Sequence, residues 1–252
     1  MAVTGEPTRG CGITRTGGGT DIVTDPYVYT VMAPTAERGK RPVNLVSYWD
    51  ALRFANWLHN GQPNTGVQDA TTTEDGAYDL TMGDGGNFAD RPRKTGWKWA
   101  VSSENEWYKA AYYKGGGPGA GYWDYPMQSD IPTVPGRLLP DAGNSANWHD
   151  SAVGAYPTGA VDPTYYRTAG GSYALSPSAC GTFDQGGNVW EWNETYNASW
   201  QHQRRGAGYA SGYSSMEAVA GVTYSTGWTD SQFIGFRVAG KEHQRGTRIL
   251  LY

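Results

Sequence analysis

Apolar residues recur with helical spacing twice in the first half of the chain and with strand-like spacing several times in the second. Ala51, Phe54, Ala55 and Leu58 fall at i, i+3, i+4 and i+7, one face of a helix over 48–59. Ser47 precedes that face and Asp50 stands three residues later, a capping pair with its acid in the first turn. Asn60-Gly61 and then Pro63 stop it. A second stripe, Trp107, Ala110 and Ala111, follows the capping box of Ser103 and Glu106 and predicts a helix over 104–113, ended by glycines 115–117. Glu104 and Glu106 therefore read as first-turn acids rather than as an acid–base pair. Short strands are predicted at 26–32, 188–192, 206–210, 219–224 and 233–239, while 60–98 and 115–182 are mostly loop. Two early helices, short antiparallel strands and long irregular loops make an α+β fold. No linker or repeat divides it, so 1–252 is expected to be one domain with an atypical Gly-, Thr- and Pro-rich opening of about 40 residues.

Composition sharpens this picture. The chain carries 36 glycines, about twice the typical ~7%, together with 11 tryptophans and 18 tyrosines. Large rings supply the burial and glycines let the chain turn between them. The net charge is −4 and no basic stripe is present, so nucleic acid is not an expected partner. No apolar run approaches the ~18 residues of a membrane span. The opening MAVTGEPTRGCGITRTGGG has no apolar signal core, which leaves the cytoplasm as the default compartment and display or export by another route open. Cys11 and Cys180 do not amount to a disulfide scaffold, and sequence does not say whether they meet. The four histidines, His59, His149, His202 and His243, form no close-spaced ligand pair.

Four motifs then occur in order: PVNLVSYWDALRFANWL at 42–58, SSENEWYKAA at 102–111, GNVWEW at 187–192 and GFRVA at 235–239. In this order and rough spacing the chain resembles the formylglycine-generating enzyme (sulfatase-modifying factor) family over roughly residues 40–240. The resemblance implies a variant of the C-type lectin-like fold. It also implies a calcium ion on FDQGGNVWEW, with side chains from Asp184 and Glu191 and carbonyls from Gly187 and Val189. The chemistry suits those positions: calcium takes six to eight oxygens at ~2.3–2.6 Å, and glycines let carbonyls curl toward one point. The rival reading is a glycine turn with two solvated acids. Asn147 and Trp148 are the nearest match to a second calcium site, where an asparagine in a turn is the favoured reading.

Members of that family oxidise a substrate cysteine with copper held by two cysteines, ligands soft enough for Cu(I). The matching interval here, 204–237, contains no cysteine, so no catalytic residue is assigned. Residues 193–234 instead carry four Tyr, two Trp, six Ser and five Gly and no Lys, the residue types of adaptable binding surfaces. Arg205-Gly206 and Tyr209 within this stretch, and Gly235-Phe236-Arg237 after it, match the family framework. A kept frame around an idiosyncratic middle resembles the variable proteins of diversity-generating retroelements, which display a mutagenised surface on this fold. The expectation is a non-catalytic protein binding a protein or cell-surface ligand through Trp200, His202, Tyr213, Tyr224, Trp228 and Asp230. The alternatives are an oxidase of the family type using other residues, and a scaffold with no ligand at all.

Overall fold

The computed structural model describes residues 10, 13–16, 28–32, 38–63, 70–81, 91–130, 137–197, 199–220, 222–242 and 246–250. Helix α1, Tyr48–His59, begins as its sequence dictates. Ser47 Oγ accepts from the Asp50 amide at 3.1 Å, and Asp50 Oδ2 accepts from the Ser47 amide at 3.0 Å. Its stripe of Tyr48, Trp49, Ala51, Leu52, Ala55 and Leu58 is buried. A short helix α2, Ala70–Thr73, follows, and helix α3, Glu104–Tyr112, starts at the capping box of Ser103 and Glu106. Helix α3 stops at Tyr112 because Tyr113 turns extended and bridges Tyr122, closing a return over the positive-φ glycines 115–117.

Among the described residues the strands form three sheets. Strands β1 (Ile13–Thr16) and β2 (Val28–Val31) pair with each other. Strands β3 (Trp99–Val101), β8 (Val238–Glu242) and β9 (Gly246–Leu250) form a second sheet in the order β3-β8-β9. The third has the order β6-β5-β4-β7, built from β4 (Trp190–Tyr196), β5 (Gln201–Arg205), β6 (Val222–Thr226) and β7 (Ile234–Phe236). The strands pair antiparallel as expected, except that β4 and β7 run parallel.

Two strand predictions are corrected. Residues 206–210 are not a strand: Gly206 and Ala207 take φ of +96° and +68°, which an extended chain cannot hold, and the strand lies just before them at β5. The predicted run 233–239 divides at Arg237, because Phe236 pairs with Trp192 in one sheet and Val238 with Val101 in another. The core sits between α1 and the four-stranded sheet, with Tyr48, Leu52, Trp192, Ile234, Phe236 and Val238 all at 5% exposure or less. Trp192 is fully buried, and its indole donates to the Val46 carbonyl at 3.1 Å.

Candidate functional site

The turn before β4 is shaped by three residues in the left-handed region, Asp184, Gly187 and Asn188, at φ of +55°, +76° and +65°. Glycine is required at 187, since a Cβ there would collide with the Asn147 carbonyl. Asn147 is a hub for this turn. Its carbonyl accepts from the Asn188 amide at 2.8 Å, and its Nδ2 donates to the Tyr166 carbonyl at 2.9 Å.

Beyond the turn, Glu191 projects into the core at 1% exposure. Arg237 clasps it with both arms, Nε to Oε2 at 2.5 Å and Nη2 to Oε1 at 2.6 Å, and the Trp107 indole also donates to Oε2 at 2.5 Å. The Arg237 Nη2 donates further to the Phe183 carbonyl at 3.2 Å. This closed network ties β4, the hinge between β7 and β8, and α3 together. Removal from water pushes the Asp184 carboxyl above its ordinary range, against the opposing pull of the Gly171 amide and of Arg237. Of its carboxylate oxygens, Oδ2 accepts from the Gly171 amide at 2.7 Å.

These observations bear on the calcium expected at Asp184, Gly187, Val189 and Glu191. A carboxylate offers about four lone-pair positions, and three of those on Glu191 are already used. The room left for an ion is one position on Glu191 and the thinly bonded Asp184 carboxylate. Among the described residues no group of three or more His, Cys, Asp or Glu side chains is placed to hold a metal. Any ion here would depend on backbone carbonyls.

The predicted ligand residues separate into groups. Gln201 opposes Thr226 on the β5–β6 ladder, so Trp200 and Trp228 stand at the same end of that ribbon. Both are exposed, at 46% and 48%, and Asp230 is exposed two residues further on. Trp200 stacks on Tyr196 with centroids 5.2 Å apart, and Trp228 leans on Trp49 at 5.8 Å. His202 lies beneath them and is buried, stacked on Tyr48 at 3.6 Å. Tyr224 opposes Gln203 and so projects from the other face of the sheet to Ser225 and Thr223. Tyr213 sits on a separate turn, Tyr213–Met216, half-buried against Trp148 at 5.4 Å. The structure thus gathers Trp200, Trp228 and Asp230 at one end, over His202, and sets Tyr213 and Tyr224 apart.

Sequence reasoning missed Tyr48, Trp49 and Tyr196, which support these rings, and Arg204. The alternation of QHQRR at 201–205 was the available signal, because it puts His202 and Arg204 on one face. Burial alone pushes His202 down to about 4 and Arg204 down to about 10, so at neutral pH the imidazole is neutral and the guanidinium charged. Cys180 is exposed, and Cys11 lies outside the described residues. No helix among the described residues is long and apolar enough to cross a membrane.

Comparison with known proteins places the chain. No curated protein matches it. Among solved structures it is similar to CarF, at 19% identity and a TM-score of 0.43, over 91% of this chain and 74% of that one. It is similar to Treponema denticola variable protein 1 at 18% identity and a TM-score of 0.45, over 81% and 73%. It is also similar to PvdO from Pseudomonas aeruginosa at 19% identity and a TM-score of 0.41, over 79% and 61%. The model of the sulfatase-modifying factor enzyme 1-like domain matches residues 20–242, nearly the whole chain. The two helices, the mixed sheets and the long loops are the α+β, C-type lectin-like architecture that the four motifs implied, and the chain belongs to this sulfatase-modifying factor family.

Proposed function

We propose that the chain is a non-catalytic binding protein whose ligand seats on the end of the β5–β6 ribbon, at Trp200, Trp228 and Asp230. The observation that carries this reading is the pair of half-exposed tryptophans, one stacked on the half-buried Tyr196 and the other leaning on the buried Trp49. Rigid indoles give contact area at low entropic cost, and the hydroxyls and amides of Asn197, Ser199, Gln201, Thr226 and Thr229 beside them are adaptable hydrogen-bonding groups. The cysteine-free stretch from 193 to 234 supports binding over the family's copper chemistry. Its place before the closing strand supports diversification of this surface. Sequences of the same locus from sister genomes test that part, with substitutions expected to concentrate in 193–234.

The binding reading is tested by arrays of cell-surface proteins and glycans probed with the full chain. W200A/W228A is expected to lose at least about 30-fold in affinity, the scale of one aromatic anchor of ~2 kcal/mol, while Y213A keeps binding. Equal binding by all three proteins overturns it. The competing oxidase reading expects aldehyde formation on a cysteine peptide in the presence of copper, and the proposal expects none.

Structural calcium at Asp184, Gly187, Val189 and Glu191 is part of the same proposal. Its support is the partly buried Asp184 carboxylate, which accepts from the Gly171 amide. Bound calcium would neutralise that acid and brace the turn. Chelation should then lower the melting temperature and added calcium restore it, and a melting curve indifferent to both removes the ion from the account.

A further inference from the structure

Among the described residues Arg204 is a charge with no counterion. Its neighbours in the fold are paired: Arg237 with Glu191, Arg205 with Glu104 at 2.6 Å, Arg93 with Glu106 and Glu194, and Arg41 with Asp162. Arg204 makes no hydrogen bond or ion pair through its side chain among the described residues, and its Nε is buried without an acceptor. Its contacts are the ring faces of Trp192 and Trp190, with the guanidinium carbon 5.5 and 6.0 Å from their centroids. Opposite it on β6 stands Thr223, which is neutral.

A second observation points the same way. His202, one side-chain step of about 7 Å along the same face of β5, keeps Nδ1 buried and unbonded. The Trp49 indole, 6.0 Å from the His202 ring and 2% exposed, keeps its Nε1 donor unbonded as well. Gly227 packs closely on both: a Cβ there would lie 3.0 Å from Trp49 Nε1 and 3.3 Å from His202 Cδ2. Three unpartnered polar atoms on one side of one strand pair are costly unless something completes them.

We propose that Arg204 is the anchor for a carboxylate of the ligand, with Trp49 Nε1 and His202 Nδ1 as further hydrogen-bonding groups along the same side of the sheet. This inference rests on the β5–β6 surface being the binding face and names the ligand chemistry. A guanidinium held by ring contacts keeps its fork free for a planar, two-oxygen acceptor. A single unopposed positive charge matches a monoanion better than a phosphate dianion. The source of the carboxylate is either a chain terminus or an acidic side chain.

The full chain is melted with increasing N-acetylglycine, as a terminus, or N-acetylaspartate amide, as a side chain, at fixed ionic strength, with chloride and phosphate as controls. The wild type should gain a few degrees with one carboxylate at ten times its dissociation constant. The better of the two probes names the source. R204M should melt as high as or higher than the unliganded wild type and lose the response, because it removes an uncompensated charge. R204K, which keeps the charge without the fork, should lose most of the response and serves if R204M does not fold. Equal responses in wild type and both variants, a response only to phosphate, or no response in the wild type overturns the proposal. W200A/W228A separates the two readings. If it keeps the carboxylate response but loses array binding, both stand. Array binding that needs the tryptophans, with no carboxylate response, removes the anchor alone. A carboxylate response with array binding indifferent to the tryptophans removes the platform alone.

Discussion

Two adjacent rungs of the β4–β5 ladder show opposite solutions to the same problem. On one rung Glu191 faces Arg205, and on the next Trp192 faces Arg204. The first belongs to a side of the sheet where each charge is answered: Glu191 by Arg237 and Trp107, Arg205 by Glu104 and the Ala218 carbonyl. The second belongs to a side where Arg204, His202 and Trp49 carry buried polar atoms with no partner among the described residues. The two sides are one strand thickness apart, so burial alone does not explain the contrast. The paired side holds three elements together, and the unpaired side carries costs that stability does not call for. Sites kept for binding are where such local violations collect.

The sharpest way to break this contrast is to remove one charge from each rung. E191Q leaves Arg237 buried against an amide and should cost about 3–5 kcal/mol in urea or thermal unfolding. R204M should cost nothing or stabilise. Similar losses for the two variants would mean that the rungs do the same job.

The next effect is on pH. The unfolded chain protonates His202 near the ordinary 6.5, whereas desolvation holds it near 4 in the fold. Between those values the unfolded state binds more protons, so stability rises with pH and is lost as pH falls from 6.5 toward 4. The loss is at most about 3 kcal/mol. H202F, which keeps a ring against Tyr48, should flatten that part of the stability–pH curve, as followed by denaturant titration.

The smallest expected effect is the stability change in W200A/W228A. Both rings are about half exposed, so it should stay within about 1 kcal/mol, as read from chemical denaturation. A larger loss would make these rings core rather than surface.

Much of the frame was legible in the sequence because its signals are local. The capping boxes at Ser47 and Ser103 fixed both helix starts, and apolar spacing fixed their buried faces. The family motifs located the turn at Gly187 and the closing Arg237. What was not legible depends on partners far away in the chain. The parallel pairing of β4 with β7 and the division of 233–239 between two sheets are set by Trp192 and Val101, distant in sequence. The stretch 206–210 reads as a strand by composition, yet the backbone turns over at Gly206 and Ala207. In the candidate site, a window of sequence shows which residues are aromatic but not which are exposed. The register decides that, burying His202 under Tyr48 and sending Tyr224 to the opposite face. Arg204 was passed over because a missing counterion cannot be seen until the neighbours are known.

The most direct test follows the indole N–H signals in a 1H–15N spectrum while N-acetylglycine or N-acetylaspartate amide is added. The Trp107 donor is already committed to Glu191, and the Trp49 donor has no acceptor among the described residues. The account predicts that one of the two carboxylates shifts the Trp49 signal saturably in the wild type and not in R204M, while Trp107 stays still. Movement of Trp107 with Trp49 unchanged would contradict it, and so would a Trp49 shift that survives in R204M.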